Sequence, residues 1–104
     1  MNFTTHGDYL VYKGSVRIYT EDATMMRQEF KAALEQGHKN FIVNFSDTDY
    51  IDSAGLGVLV GVQKKALEQA GGVKLVGIKG NVKEIFLLTR LSKVFDIYNT
   101  IQEI

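Results

Sequence analysis

The chain has 104 residues, the length of one domain with a single hydrophobic core. Its 12 basic and 12 acidic side chains cancel, so charge gives no reason to expect binding to nucleic acid or to an anionic membrane. Because it has no cysteine, no signal-peptide pattern in its first residues and no apolar run that could span a bilayer, we expect a soluble, cytoplasmic protein without disulfides.

The first half of the chain predicts strands followed by a helix. Apolar residues alternate loosely over residues 9–19, which indicates an antiparallel hairpin or two short edge strands. From Asp22 they recur every three or four positions, which predicts a helix capped by Thr20 or Asp22 and ended by Gly37. The nearly continuous apolar run at residues 41–45 is typical of a central strand buried on both faces.

The second half alternates helix and strand. A second helix is expected to end at Gly71 and Gly72, with one face formed by Leu56, Leu59, Val60, Gln63, Ala66, Leu67 and Ala70. A strand at residues 73–78, a third helix at 82–88, a short strand at 95–98 and a terminal turn at 101–104 follow. This order predicts one α/β domain over residues 1–104, with a small mixed sheet of four or five strands, parallel crossovers and helices packed against it.

The segment between the central strand and the second helix contains the candidate functional residue. In residues 52–57 (DSAGLG) a serine hydroxyl stands at a helix start, where unpaired N–H groups and the positive end of the helix dipole favour an anion. Ser53 is therefore a candidate phosphorylation site. A role of Ser53 as a plain helix cap is compatible with this interpretation.

Other chemistry fits the motif less well. The glycines of this helix do not follow a strand directly, as a dinucleotide-binding loop requires, so we predict that Gly57 and Gly61 instead let the helix approach the sheet closely. A catalytic serine needs a base within reach, and neither His6 nor His38 is placed by the sequence to serve Ser53.

The charged residues give no sign of a metal or nucleic-acid site. Asp47, Asp49 and Asp52 share one loop but lack calcium-loop spacing, so they are interpreted as solvated turn residues. The lysines are scattered and have no aromatic residues between them. We predict no cofactor and no metal.

A family resemblance rests on residues 41–59, which combine the apolar run, the Tyr-Ile-Asp-Ser segment and the Gly-Leu-Gly core. They closely resemble the STAS-domain family of bacterial anti-sigma factor antagonists. The likeness continues through Gly71 and Gly72 with the following strand and through residues 82–95, so it covers nearly the whole chain after about residue 9. It implies a small sheet flanked by helices.

The resemblance also implies a mechanism. In this family the unphosphorylated form binds an anti-sigma factor that is also a serine kinase, which frees the sigma factor. The kinase uses ATP to phosphorylate the first serine after the aspartate, here Ser53, and a serine phosphatase reverses this. Many members have a second serine where Ala54 stands. The docking surface is expected to comprise Asp49, Tyr50, Asp52, Ser53, Ala54, Gly55, Leu56 and Gly57.

One position departs from the family pattern. Members usually have G-x-[LI]-D on an early strand, with the aspartate near the phosphoserine, whereas residues 14–17 (GSVR) put Arg17 there. If Arg17 lies near Ser53, it is expected to pair with the phosphate and hold it. A local misalignment leaves Glu21 or Asp22 as the source of the carboxylate.

Two other classes of function stay open. The chain can be a phosphorylation-independent adaptor or scaffold subunit of a sensory or transport assembly, or a sensor that binds a nucleotide or another ligand. A stable partner together with an unmodified Ser53 favours the adaptor. We expect a monomer or a weak dimer, since a small sheet exposes an edge strand.

Overall fold

Strands and helices alternate along most of the chain. The computed structural model describes residues 3–104, so residues 1 and 2 of the predicted domain lie outside the described residues. The strands are β1 (Phe3–His6), β2 (Tyr9–Lys13), β3 (Arg17–Ile18), β4 (Asn40–Asn44), β5 (Tyr50–Ile51), β6 (Gly72–Val76) and β7 (Asp96–Tyr98). The helices are α1 (Thr20–Glu35), α2 (Ser53–Glu68) and α3 (Gly80–Leu88). None of these three helices is long and apolar enough to cross a bilayer.

The main sheet has five strands in the order β1-β2-β4-β6-β7. Strands β1 and β2 are antiparallel, and β2, β4, β6 and β7 are parallel to their neighbours. In the central strand β4, Phe41, Ile42 and Val43 are fully buried. The prediction of a small mixed sheet with helices packed against it is confirmed, as is the buried central strand.

Residues 9–19 contain two short strands, β2 and β3, that do not pair with each other, so the predicted hairpin is wrong; of the predicted edge strands only β3 lies at a sheet edge. Strand β2 instead pairs with the earlier strand β1, through a turn in which Gly7 has φ +58°. This turn conformation favours glycine, which explains where the hairpin closes. Strand β3 pairs with β5 in a separate two-stranded parallel sheet, and β2 is an inner strand because it also pairs with β4.

Helix α1 begins earlier than the apolar pattern indicated. Its first residue is Thr20, and Tyr19 is the N-cap. The carboxylate of Asp22 accepts a hydrogen bond from the Tyr19 amide at 2.9 Å, so Asp22 satisfies the helix start from the third helical position. Gly37, with φ +95°, follows the helix end and allows the chain to turn toward β4.

Each face of the main sheet has its own apolar cluster. The larger cluster contains residues of all three helices and includes the fully buried rings of Phe30, Phe41, Phe45 and Phe86. On the opposite face Val11, Ile42 and Val76 are covered by Tyr9, Tyr98, Ile101 and Ile104. The helices therefore occupy one face, and the C-terminal segment covers part of the other.

The predicted buried face of α2 is partly wrong. Leu59, Gln63 and Ala66 are buried as expected, but Val60 and Leu67 are 37% and 57% exposed. The buried set also includes Val58 and Val62, because α2 packs against α1 on one side as well as against the sheet below. Because α2 packs against two neighbours, its buried face includes residues on the α1 side that the predicted apolar face did not include.

Candidate functional site

The DSAGLG segment lies next to the small β3–β5 sheet. Arg17 is opposite Tyr50 in this sheet, and Ile18 is opposite Ile51. The Asp52 amide extends the ladder by donating a hydrogen bond to the Ile18 carbonyl oxygen at 3.1 Å. Both isoleucines are only 1% exposed, so the sheet is anchored in the core. This anchoring fixes where α2 begins.

Asp52, and not Ser53, caps helix α2. Its Oδ1 atom accepts a hydrogen bond from the Gly55 amide at 3.1 Å. Its Oδ2 atom accepts one from the hydroxyl of Thr20, the first residue of α1, at 3.0 Å. The interpretation of Ser53 as a helix cap is wrong because the preceding residue already fills that position. One carboxylate thus caps α2 and ties it to the start of α1.

Ser53 is the first residue of α2, and its side chain is exposed. No hydrogen bond of its hydroxyl is present within residues 3–104. The amides of Ser53 and Ala54 occupy the first two helical positions, where amides have no partner inside the helix. The hydroxyl is therefore accessible to an enzyme, and a phosphate there meets the positive end of the helix dipole without displacing the cap.

We expect Asp52→Ala to destabilise the fold by about 1–2 kcal/mol, because it removes the helix cap and the acceptor of the Thr20 hydroxyl. Asp52→Asn keeps an oxygen acceptor at the cap and should lose less than half as much. The matched control is Asp47→Ala, which breaks only an exposed ion pair with Lys13 and should change stability by less than about 0.5 kcal/mol. Urea unfolding followed by circular dichroism measures all three, and equal effects of Asp52→Ala and Asp47→Ala would contradict the capping role.

The glycines of the motif have different structural roles. A Cβ atom on Gly55 would lie 2.7 Å from Cγ1 of Ile51 and 3.0 Å from Cγ2 of Ile18. Those side chains are buried and cannot move aside freely. A Cβ on Gly57 or Gly61 would meet nothing within 4 Å. The prediction that Gly57 and Gly61 allow close packing is therefore wrong, and Gly55 is the residue at which the helix approaches the small sheet.

Alanine substitutions at Gly55 and Gly57 should change the stability of the protein in opposite directions. Gly55→Ala is expected to cost about 1–2 kcal/mol, because overpacking against the two isoleucines exceeds the gain in helix propensity. Gly57→Ala should stabilise the protein by about 0.5–1 kcal/mol, because it adds helix propensity in open space. Thermal unfolding of the two variants compares them directly. A stabilised Gly55→Ala variant would show that the core can accommodate the methyl group.

Exposed aromatic and charged residues occupy the segments that lead into the starts of α1 and α2. The rings of Tyr19 and Tyr50 are 5.3 Å apart, and these residues are 45% and 38% exposed. Nε of Arg17 lies 3.8 Å from Oδ1 of Asp49 in an exposed ion pair. Within residues 3–104 no hydrogen bond or ion pair joins Arg17 to Ser53.

The predicted docking residues are together in space but differ in exposure. Asp49, Tyr50, Ser53 and Gly57 are exposed, Asp52, Ala54 and Leu56 are half-buried, and Gly55 is buried. Gly55 therefore supports the surface from below, while the other residues present side chains or backbone to solvent.

Sequence reasoning missed two residues that hold the site. Thr48 is fully buried, and its hydroxyl donates a hydrogen bond to the Ser15 carbonyl oxygen at 2.7 Å, which ties the loop before β5 to the chain before β3. Tyr19 supplies half of the exposed aromatic pair. Neither residue carried a sequence signal, since each acts through a contact with a distant segment. The structure also contains no group of three or more His, Cys, Asp or Glu side chains, between residues 3 and 104, that could hold a metal ion.

Comparison with known sequences gives consistent matches. A family model described as "STAS domain" matches residues 1–104. The Bacillus subtilis protein named "Anti-sigma-B factor antagonist" is 32% identical over 84 residues, which are 81% of this chain and 74% of that protein. A Staphylococcus epidermidis protein of the same name is 28% identical over 100 residues, which are 89% of this chain and 86% of that protein.

Solved structures match over nearly the whole chain. The crystal structure of the Thermotoga maritima protein TM1081 has a TM-score of 0.88 at 27% identity and covers 97% of this chain and 87% of that chain. SpoIIAA in its unphosphorylated form, described as an anti-sigma factor antagonist, has a TM-score of 0.78 at 18% identity, with 97% of this chain and 91% of that chain covered. At 18% identity, the similarity to SpoIIAA shows a shared fold.

Proposed function

The chain belongs to the STAS domain family, and from this premise we propose that it is an anti-sigma factor antagonist switched by phosphorylation of Ser53. In the proposed cycle the unphosphorylated form binds an anti-sigma factor that is also a serine kinase, and so releases the sigma factor. The observation that carries this proposal is the exposed Ser53 hydroxyl, which begins α2 while Asp52 supplies the cap. The protein acts by binding and not as an enzyme.

Electrostatics supports a switch at this position. A phosphate adds about −1.5 to −2 charges at pH 7, and the helix start compensates part of that charge. The carboxylate of Asp52 lies in the preceding residue, and both of its oxygens already accept hydrogen bonds. Because Ser53 is exposed, we expect the phosphate to stay at the surface, where it adds negative charge at the centre of the proposed interface. Binding a partner over it requires desolvating that charge.

The surface around Ser53 is suited to a protein partner. The rings of Tyr19 and Tyr50 form a rigid, partly exposed aromatic surface. Tyrosine is enriched among the residues that contribute most to the affinity of protein interfaces. Leu56 adds a half-buried apolar side chain one turn into α2. We propose that the partner covers these residues together with Asp49 and Gly57, so that Ser53 lies inside the contact.

The proposed cycle needs two enzymes as partners. The kinase consumes ATP, which places the exchange in the cytoplasm, and a serine phosphatase returns the protein to its binding form. Ala54 leaves Ser53 as the only hydroxyl in the core motif, so a single phosphate is expected there. Nucleic acid and membrane take no part in the proposed cycle.

Intact-mass spectrometry after incubation with ATP and the candidate kinase tests the proposal. We expect a gain of one phosphate in the wild-type protein and none in Ser53→Ala. Ser46→Ala, which removes another exposed serine in the neighbouring loop, should gain a phosphate like the wild type. No phosphate from a kinase shown to be active, together with a stable co-purifying partner, would instead favour a phosphorylation-independent adaptor or scaffold of a sensory or transport assembly.

Arg17 is the proposed modulator of the switch. If its guanidinium leaves Asp49 and pairs with the phosphate, it offsets part of the added charge. Arg17→Asp removes that ion pair, so phosphorylation should then lower the affinity for the partner about three- to fivefold more than it does in the wild type, the effect of one exposed ion pair. Lys13→Asp is the matched control, because it reverses another exposed cation and should leave the effect of phosphorylation unchanged. Titration calorimetry of both forms measures it, and an unchanged effect in Arg17→Asp rejects this role.

A further inference from the structure

A second surface lies in the groove between helices α1 and α2. The groove has a volume of about 520 Å³, and its floor is formed by Leu34, Val58 and Val62. Both helices connect parallel strands of one sheet, so they run side by side in the same direction. The groove extends along α2 from Gly57 to Gln69, a length of about 18 Å at 1.5 Å per residue.

The groove carries an excess of positive charge. Its walls contain Arg27, Lys31 and Lys65, against a single carboxylate from Glu35. All three cations are exposed, and in the part of the chain that the structure describes none of them lies within 4.0 Å of an acidic oxygen. The chain as a whole has zero net charge, so this excess is a local feature. Unpaired cations on both sides of a groove are complementary to an acidic partner.

The α2 side of the groove contains two positions without side chains. Gly57 and Gly61 are four residues apart on α2, both are exposed, and a Cβ atom at either would meet nothing within 4 Å. The packing of the fold therefore does not require glycine at these positions. Their absence of side chains leaves room for another backbone to approach α2 closely.

We propose that this groove binds an acidic amphipathic helix of a partner protein. Apolar residues of that helix would lie over Leu34, Val58 and Val62, and its acidic flank would face Arg27, Lys31 and Lys65. The length of the groove accommodates about three helical turns. A helix is the proposed occupant because the groove follows α2 for more than three turns and has cations on both of its sides.

Two synthetic peptides test the proposal by nuclear magnetic resonance of the ¹⁵N-labelled full chain. Each has about 16 residues, long enough to form a helix, with leucine along one face and alanine elsewhere; one carries glutamate beside the leucines and the other lysine. We expect the glutamate peptide to saturate below about 1 mM and to shift the amide signals of Gly57 and Gly61. The lysine peptide should bind at least about tenfold more weakly.

Variants with a matched control assign the binding to the groove. Lys65→Glu should weaken binding of the glutamate peptide at least about fivefold, whereas Lys64→Glu, the same change one residue away and outside the groove, should change it less than about twofold. Gly61→Leu fills the groove and should abolish the Gly57 shift. Because Gly61 is exposed and a Cβ atom there meets nothing within 4 Å, this variant is expected to fold, and unperturbed core amide signals would verify that.

Other outcomes overturn the proposal. These are equal binding of the two peptides, shifts away from the groove, no binding of the glutamate peptide, or equal effects of Lys64→Glu and Lys65→Glu. Dodecanoate is titrated as a further probe. If dodecanoate shifts Gly57 and Gly61 while the glutamate peptide does not, the groove binds a small anionic amphiphile and not a helix.

Discussion

Phosphorylation of Ser53 is expected to lower the affinity for the anti-sigma partner at least about a hundredfold, which corresponds to about 2.7 kcal/mol of binding free energy. Ser53 is exposed at the start of α2, three residues after Tyr50, whose ring lies 5.3 Å from that of Tyr19, and three residues before the half-buried Leu56. Because Tyr50 and Leu56 are close to Ser53 in the chain, we expect a partner that covers their side chains to cover the phosphate as well. Removing a doubly charged group from water without a matching cation costs several kcal/mol, so loss of binding needs no large rearrangement of the protein.

Titration calorimetry with the purified partner measures this loss for the phosphorylated and unphosphorylated proteins. Ser53→Asp places one negative charge at the same position and should lose part of the affinity, while Ser53→Ala should bind like the unphosphorylated wild type. Ser46→Asp adds the same charge to an exposed loop residue and should change affinity less than about threefold, as a charge at the interface edge does. Equal affinities of the phosphorylated and unphosphorylated proteins would show that Ser53 lies outside the contact.

Local sequence pattern was sufficient for the elements with a strong signal. The apolar run at residues 41–45 predicted β4, because a strand covered on both faces by helices and by the C-terminal segment needs apolar side chains on both faces. The DSAGLG segment predicted the start of α2 to within one residue. Both features depend on patterns within a short stretch of consecutive residues, so they can be recognised in the sequence without the structure.

Features formed by distant segments were not predictable in this way. Strands β3 and β5 have two residues each, too few to show alternation, and exist because Ile18 and Ile51 pair beneath the motif. The contact between the Asp52 carboxylate and the Thr20 hydroxyl joins residues 32 positions apart. The close contact at Gly55 was missed for the same reason, since it depends on those isoleucines and not on neighbouring residues.

The DSAGLG segment therefore contains residues that fix the start of α2 and residues that are exposed at the surface. Asp52 and Gly55 fix the helix start, Asp52 through the cap and Gly55 through close contact with the small sheet. Ser53 and Gly57 are exposed, and a Cβ atom at Gly57 meets nothing within 4 Å, so packing does not require glycine there. A residue without a structural role can be modified at little cost in stability, while its anchored neighbours keep its position constant. This division is consistent with the proposed switch, in which the surface charge changes and the fold does not.

Phe30→Ala is expected to cost about 3–5 kcal/mol of unfolding free energy, the largest effect of a single substitution predicted for this chain. Phe30 is fully buried in α1. The centroid of its ring lies 5.2 Å from that of Phe3 and 5.3 Å from that of Phe41, both in edge-to-face geometry, and 5.2 Å from that of Tyr12. Truncation removes these contacts and leaves a cavity between α1 and the strands β1, β2 and β4. A domain of this size is stable by about 5–15 kcal/mol, so a large part of its stability depends on this ring.

Met25→Ala on the same helix is the matched control. Met25 is 59% exposed, and its loss should change stability by less than about 0.5 kcal/mol. Urea unfolding of both variants should give a lower midpoint for Phe30→Ala, with a slope like that of the wild type, because the same surface is exposed on unfolding. A loss below about 1 kcal/mol would mean that α1 shifts to fill the space.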